Sequence, residues 1–385
     1  MRDATLSVHH PAVSHDGYAA LSVPTHRAST IVFDDAAAYA SRGKRDLDGY
    51  SYGLHGTPTQ RVLEAQLTAL EGGARTVLMP SGQASIAVIF LTVLNPGDHV
   101  LIPDTAYPPV TNFCRDFLAP RGIDWTVYPP GIGARIAAMI RPETRLIWTE
   151  SPGSTTMEVE DIPAIAAIAR DRGILTGIDN TWATPLLFKP LAHGIDFSMQ
   201  ALTKYPGGHS DLLMGSVTVG DLDLRRRLRD TMRMLGLGVA PDAVALVLRG
   251  IETMAVRLAH VGRVATDLAQ ELHDRGAGEV LFPALPTSPG HDLWARDFAG
   301  SSGLFSVVLP AGAEARLEAA LDGLKVFAIG ASWGGTRSLM APMSVAQARR
   351  HDHPRNGRTI LRVNVGLEDP QDLRTDLAAF FDALG

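Results

Sequence analysis

Lys204 sits in Thr203-Lys204-Tyr-Pro-Gly-Gly208, directly after an apolar run from Phe197 to Leu202. Where a buried strand meets a glycine-rich loop, the ammonium form of a lysine is disfavoured and its pKa falls. The neutral amine is a nucleophile that condenses with a carbonyl to give a Schiff base. Asp179, followed by Asn180, ends another apolar run, Ile174 to Ile178. A carboxylate placed there is partly desolvated and needs a cationic or hydrogen-donating partner. Pro80-Ser81-Gly82-Gln83 follows Thr76–Met79 and opens a helical stretch. Free backbone N–H groups and the helix dipole make such a start a seat for phosphate, and Gly82 lets the backbone come close. Asp104-Thr-Ala-Tyr107 follows His99–Ile102, and an aromatic ring there can stack on a flat ligand.

Each segment alone has a plainer reading. Ser81 can be an ordinary helix cap, Tyr107 a packed loop residue, Asp179-Asn180 an Asx turn and Lys204 a snorkelling strand-end lysine. The combination is more specific. All four fall at the carboxyl ends of predicted strands, where open α/β sheets bind their ligands. Pyridoxal phosphate needs this set: a Schiff-base lysine, an Asp opposite the pyridinium nitrogen and a phosphate cradle. No metal and no second nucleophile is required. Further on, Thr359–Val365 places Ile360, Arg362 and Asn364 on one strand face. Arg362 can clamp a substrate carboxylate from there, or that face is simply solvated.

The elements around these residues follow a regular alternation. Thr59 is the expected cap of a helix with Val62, Leu63, Leu67 and Leu70 inward, stopped by Gly72-Gly73. Strands are expected at Thr76–Met79, His99–Ile102, Trp125–Tyr128, Leu146–Thr149, Ile174–Ile178, Phe197–Leu202 and Leu213–Val219, with helices at Ser81–Leu94, Pro109–Leu118, Ala134–Ile140 and Ile162–Arg170. That pattern implies βαβ units and a mostly parallel sheet covered on both faces. Asp242 is the expected cap of one long helix, Ala243–Arg275, joining a second, smaller α+β part with strands at Leu304–Leu309 and Thr359–Val365. The expected division is an arm over 1–50, a cofactor-binding domain over 51–245 and a small C-terminal domain over 246–385. The arm reads as irregular and suited to lying on a partner subunit.

Several segments stay bland. Gly131-Ile-Gly133 lacks the third glycine of a dinucleotide fingerprint. His209-Ser-Asp211 reads as loop hydrogen bonding, His9-His10 and His351-Asp-His353 as surface histidines, and Met340 with Met343 as packing.

Composition narrows the classes further. The 385 residues suit two or three domains at roughly 100–200 residues each. Apolar content of 45% and charged content of 20% exclude collagen, coiled coil and wholesale disorder. The longest mostly apolar run, Ser85–Leu94, is about half of what a bilayer crossing needs, so no membrane association is expected. The first ten residues carry no apolar core of a secretory signal. A net charge of −6 gives no reason to expect nucleic acid. The single cysteine, Cys114, excludes an internal disulfide framework and a thiolate-clustered zinc site, and fits the cytoplasm.

These segments resemble the Cys/Met-metabolism family of pyridoxal-phosphate enzymes, and within it the cystathionine β-lyases. The matching stretches are Tyr52-Gly-Leu-His-Gly-Thr-Pro-Thr59, Leu70-Glu-Gly-Gly73, Asp104-Thr-Ala-Tyr107, Glu150-Ser-Pro-Gly153 and Ile178-Asp-Asn-Thr-Trp-Ala183. They continue through Ala201-Leu-Thr-Lys-Tyr205 with Gly208-His-Ser-Asp211, Asp297-Phe-Ala-Gly-Ser-Ser-Gly-Leu-Phe305, Ser332-Trp-Gly-Gly335, Leu361-Arg362 and Val365-Gly-Leu-Glu-Asp369. The Asp-Phe-Ala-Gly-Ser-Ser-Gly and Ser-Trp-Gly-Gly stretches carry the resemblance to the β-lyase branch.

The resemblance implies fold type I of the pyridoxal-phosphate enzymes: a mostly parallel seven-stranded sheet in a large domain, a smaller C-terminal α+β domain, and a homotetramer built from tight dimers. It implies that Lys204 is the Schiff-base lysine, that Asp179 pairs with the pyridine nitrogen, and that Tyr107 stacks on the ring and assists proton transfer. Gly82, Gln83 and Thr203 would hold the phosphate, and Tyr52 would reach the phosphate of the neighbouring subunit. Arg362, Ser332 and Trp333 would hold the amino-acid substrate.

The implied reaction is β-elimination of L-cystathionine to homocysteine, pyruvate and ammonia. The alternatives are γ-elimination or γ-replacement on the same cofactor, a nicotinamide-dependent oxidoreductase, which the broken glycine fingerprint disfavours, and a non-enzymatic binding module. Three positions depart from the family pattern: Leu54 stands where an arginine is common, Ala201 where serine is common, and Ala331 where some β-lyases carry tyrosine.

Overall fold

Thr57, rather than Thr59, starts the first long helix, Pro58–Glu71. The computed structural model, which describes residues 1–9, 20–44, 48–346, 349–351, 355 and 357–385, shows why. Pro58 has no N–H to leave unpaired and takes the first helical position. Gln60 Oε1 then accepts the backbone N–H of Thr57 at 3.0 Å, half of a capping box. Thr59 instead pins the arm: its hydroxyl donates to the Pro24 carbonyl and accepts from His26 N–H, each at 2.8 Å.

Seven strands form the larger sheet: β1 (Arg75–Met79), β2 (His99–Pro103), β3 (Asp124–Tyr128), β4 (Thr144–Glu150), β5 (Leu175–Asp179), β6 (Phe197–Ala201) and β7 (Gly215–Val219). Their order is β1-β7-β6-β5-β4-β2-β3. The pairs from β3 to β6 are parallel, each entered through a crossover. β7 runs antiparallel to both β6 and β1. No helix lies between β6 and β7, only the loop that holds Lys204, and a returning loop delivers an antiparallel strand. Strands β2 and β7 are buried along their whole length, as expected for a sheet covered on both faces.

Five strands form the smaller sheet: β8 (Glu279–Leu281), β9 (Leu304–Val308), β10 (Ala328–Ile329), β11 (Leu339–Met343) and β12 (Ile360–Asn364), in the order β10-β11-β12-β9-β8. On β12, Ile360 and Asn364 are as buried as Leu361 and Val363, so the Arg362 face is not solvated. Asn364 meets its polar needs inside, accepting Gly334 N–H at 2.9 Å.

The single helix expected over Ala243–Arg275 is two, Pro241–Glu252 and Met254–Asp274. The break has a local cause. The Gly250 carbonyl accepts from the Thr253 hydroxyl at 3.2 Å and from Arg257 Nη2 at 2.7 Å, which competes with the helical ladder. Asp242 is not the cap. Ala240 precedes Pro241 in that place, and the Asp242 carboxylate accepts from Arg27 Nε at 3.0 Å.

The arm is not wholly irregular. Asp3–Val8 is a short helix, and Gln66 Nε2 donates to the Ser7 carbonyl at 2.8 Å, tying it to the first long helix. The segment expected as a helix over Ala134–Ile140 is a 3₁₀ turn series, Gly133–Met139, entered through Gly133 at φ +50°. His351 is partly buried, with Nε2 3.1 Å from the Val127 carbonyl, rather than a surface histidine. His10 and His353 lie outside the described residues. Met340 is buried and Met343 packs against the same core. Among the described residues no helix is long and apolar enough to cross a membrane.

Candidate active site

Parallel strands bring their carboxyl ends to one rim, and loops from the smaller sheet close it. A cavity of about 260 Å³ lies there. Ser81, Gly82, Gln83, Tyr107, Asp179, Thr203, Lys204, Trp333 and Arg362 line it. Nine residues singled out in the sequence, from position 81 to position 362, thus meet in one place.

The helix Gly82–Val93 begins at its floor, with the Ser81 hydroxyl accepting Ala84 N–H at 3.1 Å. Gly215 on β7 makes room for that turn. A Cβ at Gly215 would stand 2.5 Å from the Ser81 carbonyl oxygen and 2.3 Å from Ser85 Oγ. Gln83 donates weakly to the Pro109 carbonyl at 3.4 Å, while its Oε1 is buried without a partner. Thr203 lines the cavity, but its hydroxyl also bridges Met214, accepting its N–H at 3.1 Å.

Asp179 ends β5 and is enclosed by protein while facing the cavity. Burial raises its pKa; hydrogen bonds from Thr181, whose N–H is 2.9 Å from Oδ1, and the charge of Lys204 oppose that. Lys204 stands across the cavity. Burial and then the Arg362 cation lower its pKa to about 8, against the opposing charge of Asp179. Its Nζ donates to Ser332 Oγ at 2.7 Å and lies 5.1 Å from the centre of the Trp333 ring. Trp333 in turn packs on Tyr205, ring centres 5.6 Å apart. Gly334, at φ +81°, allows this loop to lie on the Lys204 backbone; a Cβ there would be 3.1 Å from Lys204 Cβ.

Arg362 projects from the middle of β12, opposite Ser306 on β9 and Ala341 on β11. One guanidinium nitrogen donates to the Ala331 carbonyl at 2.5 Å, which fixes the fork while leaving other N–H groups toward the cavity. Tyr107 precedes Pro108-Pro109 at a helix start, and its half-exposed ring flanks the cavity.

Glu150 also lines the cavity, although the sequence reading quoted it only within a motif. Its Oε2 accepts the Tyr107 backbone N–H at 2.7 Å. It pairs in register with Asp179 across β4 and β5. Burial raises its pKa well above the usual carboxylate range, and the charge of Asp179 adds to that. The signal that marks Asp179, a carboxylate ending an apolar strand, marks Glu150 equally. Thr181, Trp182, Ser154, Thr155, Leu213 and Ala331 are also part of the lining. Tyr52 is not there; it lines a separate cavity with His55 and Arg233.

The set fits pyridoxal phosphate. An amine of lowered pKa faces a carboxylate that lacks a full cationic partner. A glycine-opened helix start and an unpaired amide oxygen border the same space, beside an arginine with free N–H groups.

Comparison with known proteins agrees with that chemistry. The family model described as "Cys/Met metabolism PLP-dependent enzyme" matches residues 4–382. A "Putative cystathionine beta-lyase" from Rhizobium johnstonii is 42% identical over 373 residues, covering 96% of this chain and 93% of that protein. "Cystathionine beta-lyase MetC" from Escherichia coli is 40% identical over 364 residues, 92% of each chain. The crystal structure of metB from Corynebacterium glutamicum superposes with a TM-score of 0.91 at 28% identity, over 100% of this chain and 99% of that one. With its sheet order, its cavity and a match along almost its entire length, the chain belongs to the Cys/Met-metabolism family of pyridoxal-phosphate-dependent enzymes.

Proposed function

We propose that this enzyme is a carbon–sulfur lyase that β-eliminates L-cystathionine to homocysteine, pyruvate and ammonia. The observation that carries the reading is the convergence of Lys204, Asp179 and Arg362 on one cavity. The relatives named cystathionine β-lyase support the choice of β over γ chemistry.

Pyridoxal phosphate, when bound, supplies an electron sink for the pair left at the substrate Cα. The chain does the rest. Gly82, Gln83 and Thr203 would hold the phosphate, and Tyr52 would reach the phosphate of a neighbouring subunit. Asp179 would pair with the ring nitrogen and keep it protonated, giving its buried carboxylate a cationic partner. Tyr107 covers the ring face. Lys204 Nζ would hold the cofactor aldehyde. As a free amine whose pKa is about 8, it would take the substrate Cα proton as a base near neutral pH. Arg362 clamps the α-carboxylate, with Ser332 and Trp333 beside it. The Cβ–S bond breaks with its electron pair going to sulfur, which receives a proton from Lys204 Nζ or the Tyr107 hydroxyl. Water then releases pyruvate and ammonia from the three-carbon fragment.

The two sheets support a division into an arm (1–50), a cofactor-binding domain (51–245) and a small domain (246–385). We further infer a homotetramer of tight dimers working in the cytoplasm. Exposed Leu213 at the cavity, and exposed Met234 and Leu235 next in the chain after Arg233 of the Tyr52 cavity, suit burial by another subunit. The only cysteine, Cys114, is a buried thiol whose pKa burial pushes up to about 12, so it needs no oxidising compartment. The test is the keto acid released from cystathionine. Pyruvate with homocysteine supports the reading, and 2-oxobutyrate with cysteine overturns it.

A further inference from the structure

The loop between β11 and β12 belongs to the smaller sheet, yet Arg349, Arg350 and His351 within it are bonded to the larger one. Asp104 directly follows β2 and is buried. Its Oδ1 accepts the Arg350 N–H at 2.8 Å, and its Oδ2 accepts the His351 N–H at 3.2 Å. Arg349 donates through Nη1 to the Asp104 carbonyl. Through Nη2 it donates to the Thr156 hydroxyl and, at 3.1 Å, to the Ser154 carbonyl. The Arg350 guanidinium stands 4.6 Å from the centre of the Trp125 ring on β3. Three consecutive residues thus form a clasp from one sheet to the other. Bonds to main-chain N–H groups fix such a loop more narrowly than bonds to long, mobile side chains.

The clasp grips two walls of the catalytic cavity. Tyr107 comes three residues after Asp104. Thr155 and Met157 line the same cavity at φ +69° and +61°. Side chains other than glycine rarely hold that backbone, and it persists only where neighbours enforce it. Arg349 is such a neighbour, because it binds the residues on either side of Thr155. The two walls are also joined to each other, Ser154 N–H donating to the Thr105 carbonyl at 2.8 Å. The loop that carries the clasp then runs into β12, whose third residue is Arg362.

The residues proposed to hold the cofactor stand around the larger sheet, whereas the clamp for the substrate carboxylate comes from the smaller one. What ties the two sheets together therefore sets the distance between cofactor and clamp. Trp182 Nε1, donating to the Leu304 carbonyl at 3.0 Å, ties them at β9. The clasp ties them beside β2 and β3. We propose that Asp104 is a positioning residue for the substrate α-carboxylate: through the 349–351 clasp it holds β12 so that Arg362 faces Tyr107 and Lys204 across the cavity. Arg349 locks the same clasp to the Thr155 wall. The proposal rests on the catalytic reading given above.

The test uses the full chain as holoenzyme with Asp104→Ala. That variant removes both acceptors of the clasp and leaves the Glu150 contact to the Tyr107 N–H in place. KM for cystathionine should rise about tenfold, as a misplaced binding group predicts. Cofactor affinity by equilibrium dialysis and the visible absorbance should stay as in wild type. Arg362→Ala completes a double-mutant cycle. Because Asp104 acts through Arg362, adding Asp104→Ala to Arg362→Ala should raise KM by less than about threefold further. A further rise as large as in the wild-type background overturns the proposal. So does an unchanged KM in Asp104→Ala, or a loss of cofactor affinity in its place. Asp104→Asn keeps the side-chain shape and one acceptor oxygen, and carries the same cycle if Asp104→Ala does not fold.

Hydrogen exchange in cofactor-free protein gives a readout without turnover. The Arg350 and His351 amides should exchange about tenfold faster in Asp104→Ala, the change expected for one lost hydrogen bond. Unchanged exchange overturns the clasp whatever the enzyme makes. Keto acid is counted in total in the kinetic arm. A wild type that releases 2-oxobutyrate in place of pyruvate therefore sinks the proposed function, while the cycle still decides the role of Asp104.

Discussion

Lys204 and Ser332 are 128 residues apart in sequence, and their side chains are 2.7 Å apart, Nζ donating to Oγ. The bond joins the loop after β6 of the larger sheet to the loop between β10 and β11 of the smaller one. The Lys204 amine is therefore aimed by both sheets.

Replacing Lys204 by Ala should remove the visible absorbance of lysine-bound cofactor and cut turnover by about 10³-fold, within the range for loss of a general acid–base group. Absorbance spectra and pyruvate release check this. A variant with a wild-type spectrum and rate would exclude Lys204 from the site.

The pKa of about 8 for Lys204 sets a pH dependence in cofactor-free protein. Below that value the amine is protonated and has no lone pair to attack an aldehyde. Recombination with pyridoxal phosphate should accelerate about tenfold per pH unit up to roughly pH 8 and then level off. Stopped-flow absorbance gives the profile. A plateau reached only above pH 10 would mean the amine is solvated.

Arg362→Ala should raise KM about ten- to a hundredfold, as expected for a lost charge-assisted carboxylate contact. Arg362→Lys should recover little of it, because a point charge does not reproduce the bidentate fork. Steady-state kinetics on cystathionine decide the matter; an unchanged KM removes Arg362 from substrate binding.

Burial, and then the charge of Asp179, raise the Glu150 pKa well above the usual carboxylate range. Glu150→Gln keeps a neutral acceptor for the Tyr107 N–H and should retain activity within a few-fold. Glu150→Ala leaves that N–H without its acceptor, a loss of about 1–3 kcal/mol, and should displace Tyr107 and slow turnover about tenfold. Equal rates in the two variants would show that the Tyr107 contact is idle.

Glu71 has a pKa raised by burial from 4.5 to about 7, against hydrogen bonds from Ser198 and Gln200. The folded state therefore holds its proton where the unfolded chain releases it. Stability from this group is full below pH 4.5 and falls as pH rises toward 7, by about 1.4 kcal/mol per pKa unit of difference. Denaturant unfolding of wild type and Glu71→Gln across that window should show the slope flatten in the variant. Parallel curves would assign the pH dependence to other groups.

The strand–helix alternation, the positions of Asp179 and Lys204 at strand ends and the helix start at Gly82 were legible from residue order, because burial periodicity and strand-end chemistry are local signals. Thr57 displacing Thr59 as a cap, and Thr253 splitting a long helix, are near misses of the same local kind, decided by Pro58 and by competition for the Gly250 carbonyl.

Other features were beyond local reading. That Arg362 enters the cavity rather than solvent depends on how β12 is sandwiched between β9 and β11 and turned toward the larger sheet. Glu150 gains its role only when β4 lies beside β5, in register with Asp179. The separation of Tyr52 from Lys204 likewise appears only once the chain has folded. Local propensity acts over a few residues, whereas charge, desolvation and hydrogen bonding depend on distance in space, and packing alone sets that distance.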